Sequence, residues 1–146
     1  MTLAEAYLTL NRAADAFALT ERALSDHADD SDLLLRGMDV FGANGQTERA
    51  AILLEQAREV SHRATWHKAA TKLYVYSDDL ERALHHGLEA VAGLPLDMSL
   101  QSLVTELLGV QRGDAAREEH ARRWHDRYPN HAELHQLLIA ELANSP

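Results

Sequence analysis

The chain has 146 residues, enough to bury a hydrophobic core without disulfide or metal staples, and fits a single domain spanning 1–146. With no cysteine it has no disulfide, no thiolate metal site and no cysteine nucleophile, which agrees with a reducing compartment, and a cytoplasmic location is expected. Fourteen basic against 23 acidic residues give a formal charge of −9, which argues against nucleic acid as a partner because phosphate binding draws on concentrated Lys and Arg.

No run approaches the roughly 18 apolar residues of a membrane span. Glu5 and Asp15 lie near the start, so neither a signal peptide nor a membrane partner is expected. Ala, Leu, Glu and Arg dominate, only three prolines and seven glycines interrupt them, and apolar–polar alternation is nowhere sustained. Helices are therefore predicted throughout.

In chain order they fall near 2–10, 13–27, 31–43, 46–60, 64–76, 79–92, 98–111, 114–128 and 131–142. Ser31 and Asp32 are placed to cap the third, and Gly45 suits its left-handed end. The fourth carries Leu53, Leu54, Ala57 and Val60 at helical spacing. Asp78, Asp97 and Asp114 stand before the sixth, seventh and eighth as caps, with Gly113 closing the seventh. The ninth shows Leu134, Leu137, Leu138 and Leu142 on one stripe. Connectors this short make successive helices antiparallel neighbours.

A period runs through these elements. Ala16 and Ala23 recur 34 residues on as Ala50 and Ala57, and 33 further as Ala83 and Ala90. Tyr7, Phe41 and Tyr74 keep the same steps, as do the turn-tolerant Asn11, Gly45 and Asp78. Ala28, His62, Pro95 and Pro129 continue the series. Self-similarity of this length marks helical repeats that bury their apolar faces against one another.

With these residues the chain resembles the tetratricopeptide repeat family, in which a large residue on the first helix of a pair packs between small alanines on the second. The resemblance implies an all-α, right-handed α-α superhelix of about four such pairs, near 1–30, 31–63, 64–97 and 98–130, plus a closing helix at 131–142. The fourth unit departs from the pattern. Its alanine places fall on Arg117 and Trp124, or on Ala116 and Arg123 if the helix slips by one, so its second helix is expected to pack differently, with Trp124 and Tyr128 covering the terminal helix.

In this family the first helices line a concave groove. Carried over, the groove positions are Glu5, Leu8 and Thr9; Asp32, Leu35, Arg36, Asp39 and Ala43; Thr65, Lys68, Ala69, Lys72, Val75 and Tyr76; and Ser102, Glu106 and Gly109. Arg36, Asp39, Lys68, Lys72, Tyr76 and Glu106 form the candidate peptide-binding set. Lys68 and Lys72 share one helix face at i, i+4 and, with Arg36, suit an acidic or carboxylate-ended peptide. The competing reading is that they only neutralise Asp39 and Glu106. The family's best-known peptide clamp needs Lys and Asn in the first unit, where this chain has Met1 and Glu5, so a chaperone-tail clamp is not expected.

Nine histidines are the compositional oddity. His131 and His135 have chelating i, i+4 spacing, but scattered surface imidazoles are the expectation and no metal site is assigned. His85 and His86 project in different directions. There is no glycine-rich phosphate loop, nucleophile elbow or dinucleotide fingerprint. The acidic pairs Asp29-Asp30 and Asp78-Asp79 sit at helix starts, where negative charge is favourable. Neither catalytic residues nor a cofactor are expected. The leading expectation is a protein- or peptide-binding module. The alternatives are a regulatory or assembly domain of a larger bacterial protein, such as a transcription regulator, a secretion component or a repeat-bearing enzyme, and self-assembly into a homo-oligomer.

Overall fold

The structure is a computed structural model that describes residues 18–19, 21–24, 26 and 29–144. The first predicted helix, with Tyr7 and the groove positions Glu5, Leu8 and Thr9, lies outside the described residues, as do Asn11 and Ala16. The chain divides into two compact units, Met1–Ser61 and His62–Pro146. Among the described residues every regular element is helical and there is no strand. No helix among them is long and apolar enough to cross a membrane.

In the first unit, helical residues at 18–19, 21–24 and 26 precede α1, Ser31–Ala43, and α2, Thr47–Ala57. Helix α1 starts where Asp30 accepts the Leu33 N–H at 3.2 Å, satisfying a donor that has no partner within the helix. It buries Leu34, Gly37, Met38, Phe41 and Gly42, the three- and four-residue spacing of a single face. Gly45, at φ 82°, turns the chain at little steric cost, and the Gln46 N–H returns to the Phe41 carbonyl at 2.8 Å. Helix α2 then buries Ala50, Leu53, Leu54 and Ala57.

The second unit holds five helices: α3, Arg63–Tyr76; α4, Leu80–Gly93; α5, Met98–Arg112; α6, Asp114–Arg127; and α7, Ala132–Asn144. Each packs on the next, and α5 also meets α7. Small residues set the closeness of α4. Its Gly93 faces Ala64 at the start of α3, where a Cβ would come within 2.5 Å of the alanine methyl. Gly87 lies between Thr71 of α3 and Val104 of α5. Ala83 and Ala90 complete this stripe, both without exposed surface. Around it, Leu84 and Val91 of α4, Leu100, Val104, Leu107 and Leu108 of α5, Trp124 of α6 and Leu134 of α7 form one apolar core.

The 33-residue step shows in both burial and backbone conformation. Ala50 and Ala57 in α2, and Ala83 and Ala90 in α4, are all 0% exposed. Gly45 after α1 and Asp78 after α3 both take positive φ, 82° and 59°. Their helices close alike: the Gln46 N–H bonds to Phe41 as the Asp79 N–H bonds to Tyr74.

Arg117 stands at an alanine place and is accommodated by Gly109 of α5, where a Cβ would lie 2.6 Å from the arginine Cδ. Gly109 thus packs under Arg117. Arg117 spans to α7 and donates to both carboxylate oxygens of the largely buried Glu141, at 3.0 and 3.1 Å. Trp124 joins Leu134 in the core and stacks on Tyr128.

Three caps differ from expectation. Asp30, not Ser31 or Asp32, caps α1, because its carboxylate is the one that reaches an N–H three residues on. At Asp78-Asp79 the first acid occupies the left-handed turn, so Asp79 takes the cap and accepts from Arg82. Asp114 is the first residue of α6, with Gly113 before it at φ 93°. Helix α2 ends at Ala57, short of Val60, in a tight turn where the Ser61 N–H bonds to the Ala57 carbonyl at 2.9 Å.

Candidate interaction site

Helix α3 puts Ala64, Ala69, Ala70, Thr71 and Leu73 into the interior. Lys68, Lys72 and Tyr76, spaced by four, follow one another along one face of the helix, continuing the row that the buried Ala64 begins. That face carries three of the candidate binding residues, but their environments differ.

Lys68 is tied down. Its ammonium donates to Asp97 at 2.5 Å, both side chains being about one-quarter exposed (27% and 24%). Asp97 is the N-cap of α5 and also accepts from the Leu100 N–H at 3.1 Å and the Ser99 hydroxyl at 2.9 Å. Partial burial by itself would raise its pKa; the hydrogen bonds from Lys68, Leu100 and Ser99 outweigh that and hold the carboxyl below its ordinary value. Lys68 is thus a clasp between α3 and the start of α5. Its counterion is neither Asp39 nor Glu106.

Lys72, one turn on, is half-buried and makes no ion pair among the described residues. Tyr76 closes α3 and is 39% exposed. Glu106 is exposed on α5, where its charge acts on Arg117 of α6. Arg36, exposed, and Asp39, half-buried, lie on α1 of the first unit. The second unit thus presents one anchored cation, one unanchored cation and an aromatic tip in succession. Such a strip can attract a carboxylate and cover an apolar side chain beside it.

Two histidine groups were missed by sequence reasoning. On α3 and α4, His67 Nδ1 lies 3.0 Å from His86 Nδ1, with His86 stacked on Tyr74 at 5.3 Å and edged by Trp66. On α6 and α7, His125 Nε2 lies 3.1 Å from His135 Nδ1. His131 does not join His135; its Nδ1 accepts the Leu134 N–H at the start of α7. The only signal in the sequence was the excess of histidine. No group of three or more metal-ligating side chains occurs among the described residues.

Set against known proteins, the chain matches no family model and no curated protein sequence.

Proposed function

We propose that the chain is a protein-interaction module, a right-handed superhelix of tetratricopeptide-like pairs, in which the α3 face takes an acidic or carboxylate-ended segment of a partner protein. The superhelical reading is supported by the fully buried alanine pairs and the positive-φ turns that recur at a 33-residue step. The binding reading rests on Lys72. Lys72 is half-buried and pairs with no carboxylate among the described residues, so its charge is available to a ligand, whereas that of its neighbour Lys68 is already taken by Asp97. A ligand carboxylate would pair with Lys72, and Tyr76 would cover the adjoining residue.

Fluorescence anisotropy with labelled Asp/Glu-rich peptides, each with a free and an amidated C-terminus, tests this. Binding should weaken by about tenfold or more in Lys72→Glu, the loss expected for one charge-assisted contact of about 1.5–3 kcal/mol. The melting temperature should hardly change, because the substitution breaks no ion pair. Equal binding by the unmodified chain and Lys72→Glu would reject the site.

A further inference from the structure

We infer that His125 and His135 form a two-histidine site for a divalent transition-metal ion, clamping α6 to α7. His125 Nε2 and His135 Nδ1 approach to 3.1 Å, with ring centroids 5.1 Å apart. Two nitrogens bound to one ion at about 2.0 Å, with an angle of about 90–109° between the bonds, stand about 2.8–3.3 Å apart. The observed separation lies within that range.

The second ring nitrogen of His125 selects the tautomer. His125 Nδ1 is buried without a hydrogen-bond partner, 3.6 Å from the Asp126 carboxylate. A hydrogen bond donated by His125 Nε2 would leave Nδ1 with a buried, unused lone pair beside a carboxylate, an unfavourable arrangement; one donated by His135 Nδ1 and an ion held between the rings both leave the proton on His125 Nδ1, and the metal titration below separates these two. With the proton on Nδ1, the N–H faces Asp126 and the Nε2 lone pair points toward His135. The carboxylate lies too far for a hydrogen bond, but its charge favours the proton on Nδ1 and so leaves Nε2 as the donor nitrogen.

Access also favours this pair. His135 is exposed, so an ion can arrive hydrated and keep waters in its remaining positions. The His67–His86 pair is half-buried between Trp66 and Tyr74, which leaves less room for such waters. Imidazole donors with no thiolate suit Cu2+, Ni2+ and Zn2+, with Cu2+ bound most tightly.

The test uses the full chain and Cu2+ as probe. Substoichiometric Cu2+ should broaden the amide resonances around residues 125 and 135 first, and Zn2+ should shift the same set without broadening. Calorimetric affinity for Cu2+ should fall about tenfold or more in His135→Ala, as for loss of a ligand. Because His135 is exposed, that variant should keep the native spectrum elsewhere. His131→Gln should retain the affinity. Broadening that begins at other histidines, or an affinity unchanged in His135→Ala, would overturn the assignment.

Discussion

His120 should make the protein sensitive to mild acid. The residue is 5% exposed on α6, and its Nε2 lies 2.8 Å from Oε1 of Gln101, which is itself fully buried. The Gln101 amide donates to the Pro95 carbonyl at 2.7 Å, so its oxygen is left to accept from a neutral imidazole. Burial, with a smaller contribution from the positive charge of Arg123, pushes the His120 pKa down from 6.5 to about 4. Above 6.5 both folded and unfolded chains hold the ring neutral, and it contributes nothing to pH dependence. Between 6.5 and about 4 the unfolded chain takes up a proton that the folded chain does not, so stability falls as pH falls. The interval from 6.5 to about 4, at about 1.4 kcal/mol per pH unit, amounts to about 3 kcal/mol. Urea unfolding at about pH 7 and about pH 4.5 measures most of this. His120→Gln, which cannot titrate, should show a drop smaller than that of the unmodified chain by about 2–3 kcal/mol. An equal drop in both proteins, or an NMR titration placing His120 near 6.5, would refute the reasoning.

Ala50→Leu and Ala83→Leu should each cost about 1–3 kcal/mol by overpacking, since neither alanine has exposed surface; the urea midpoint measures it. Gly93→Ala should destabilise despite its better helix propensity, because its methyl would meet that of Ala64; a melting temperature equal to or above that of the unmodified chain would contradict the close approach of α3 and α4. Arg117→Ala should cost up to about 3 kcal/mol by leaving the buried Glu141 carboxylate unpaired, and Arg117→Met with Glu141→Leu should recover most of the loss; a double-mutant cycle in urea reads both.

The helices were legible because local signals agreed. Alanines at Ala50, Ala57, Ala83 and Ala90 fall where small residues are buried, and Asp97 and Gly45 punctuate as their chemistry suggests. The caps that were misplaced lie in runs such as Asp29-Asp30-Ser31-Asp32 and Asp78-Asp79, where several oxygens compete and backbone geometry alone chooses among them. The site was harder to read. Lys68 and Lys72 look equivalent along the helix, and only the approach of Asp97, 29 residues away, distinguishes a clasp from an unanchored charge. The histidine pairs have the same origin. His125 and His135 meet across two helices, whereas spacing along one helix pointed to His131, whose Nδ1 is taken up by the start of α7. The mismatch at Arg117 was visible in the repeat, but the room that Gly109 gives it was not.

The most direct test of the interaction site is a backbone NMR titration of the full chain with an acidic peptide bearing a free C-terminal carboxylate. The largest shift changes should track α3 through Lys68, Lys72 and Tyr76, and should vanish in Lys72→Glu while the rest of the spectrum is retained. Shift changes that leave α3 untouched, or that persist unaltered in Lys72→Glu, would contradict a binding role for this face.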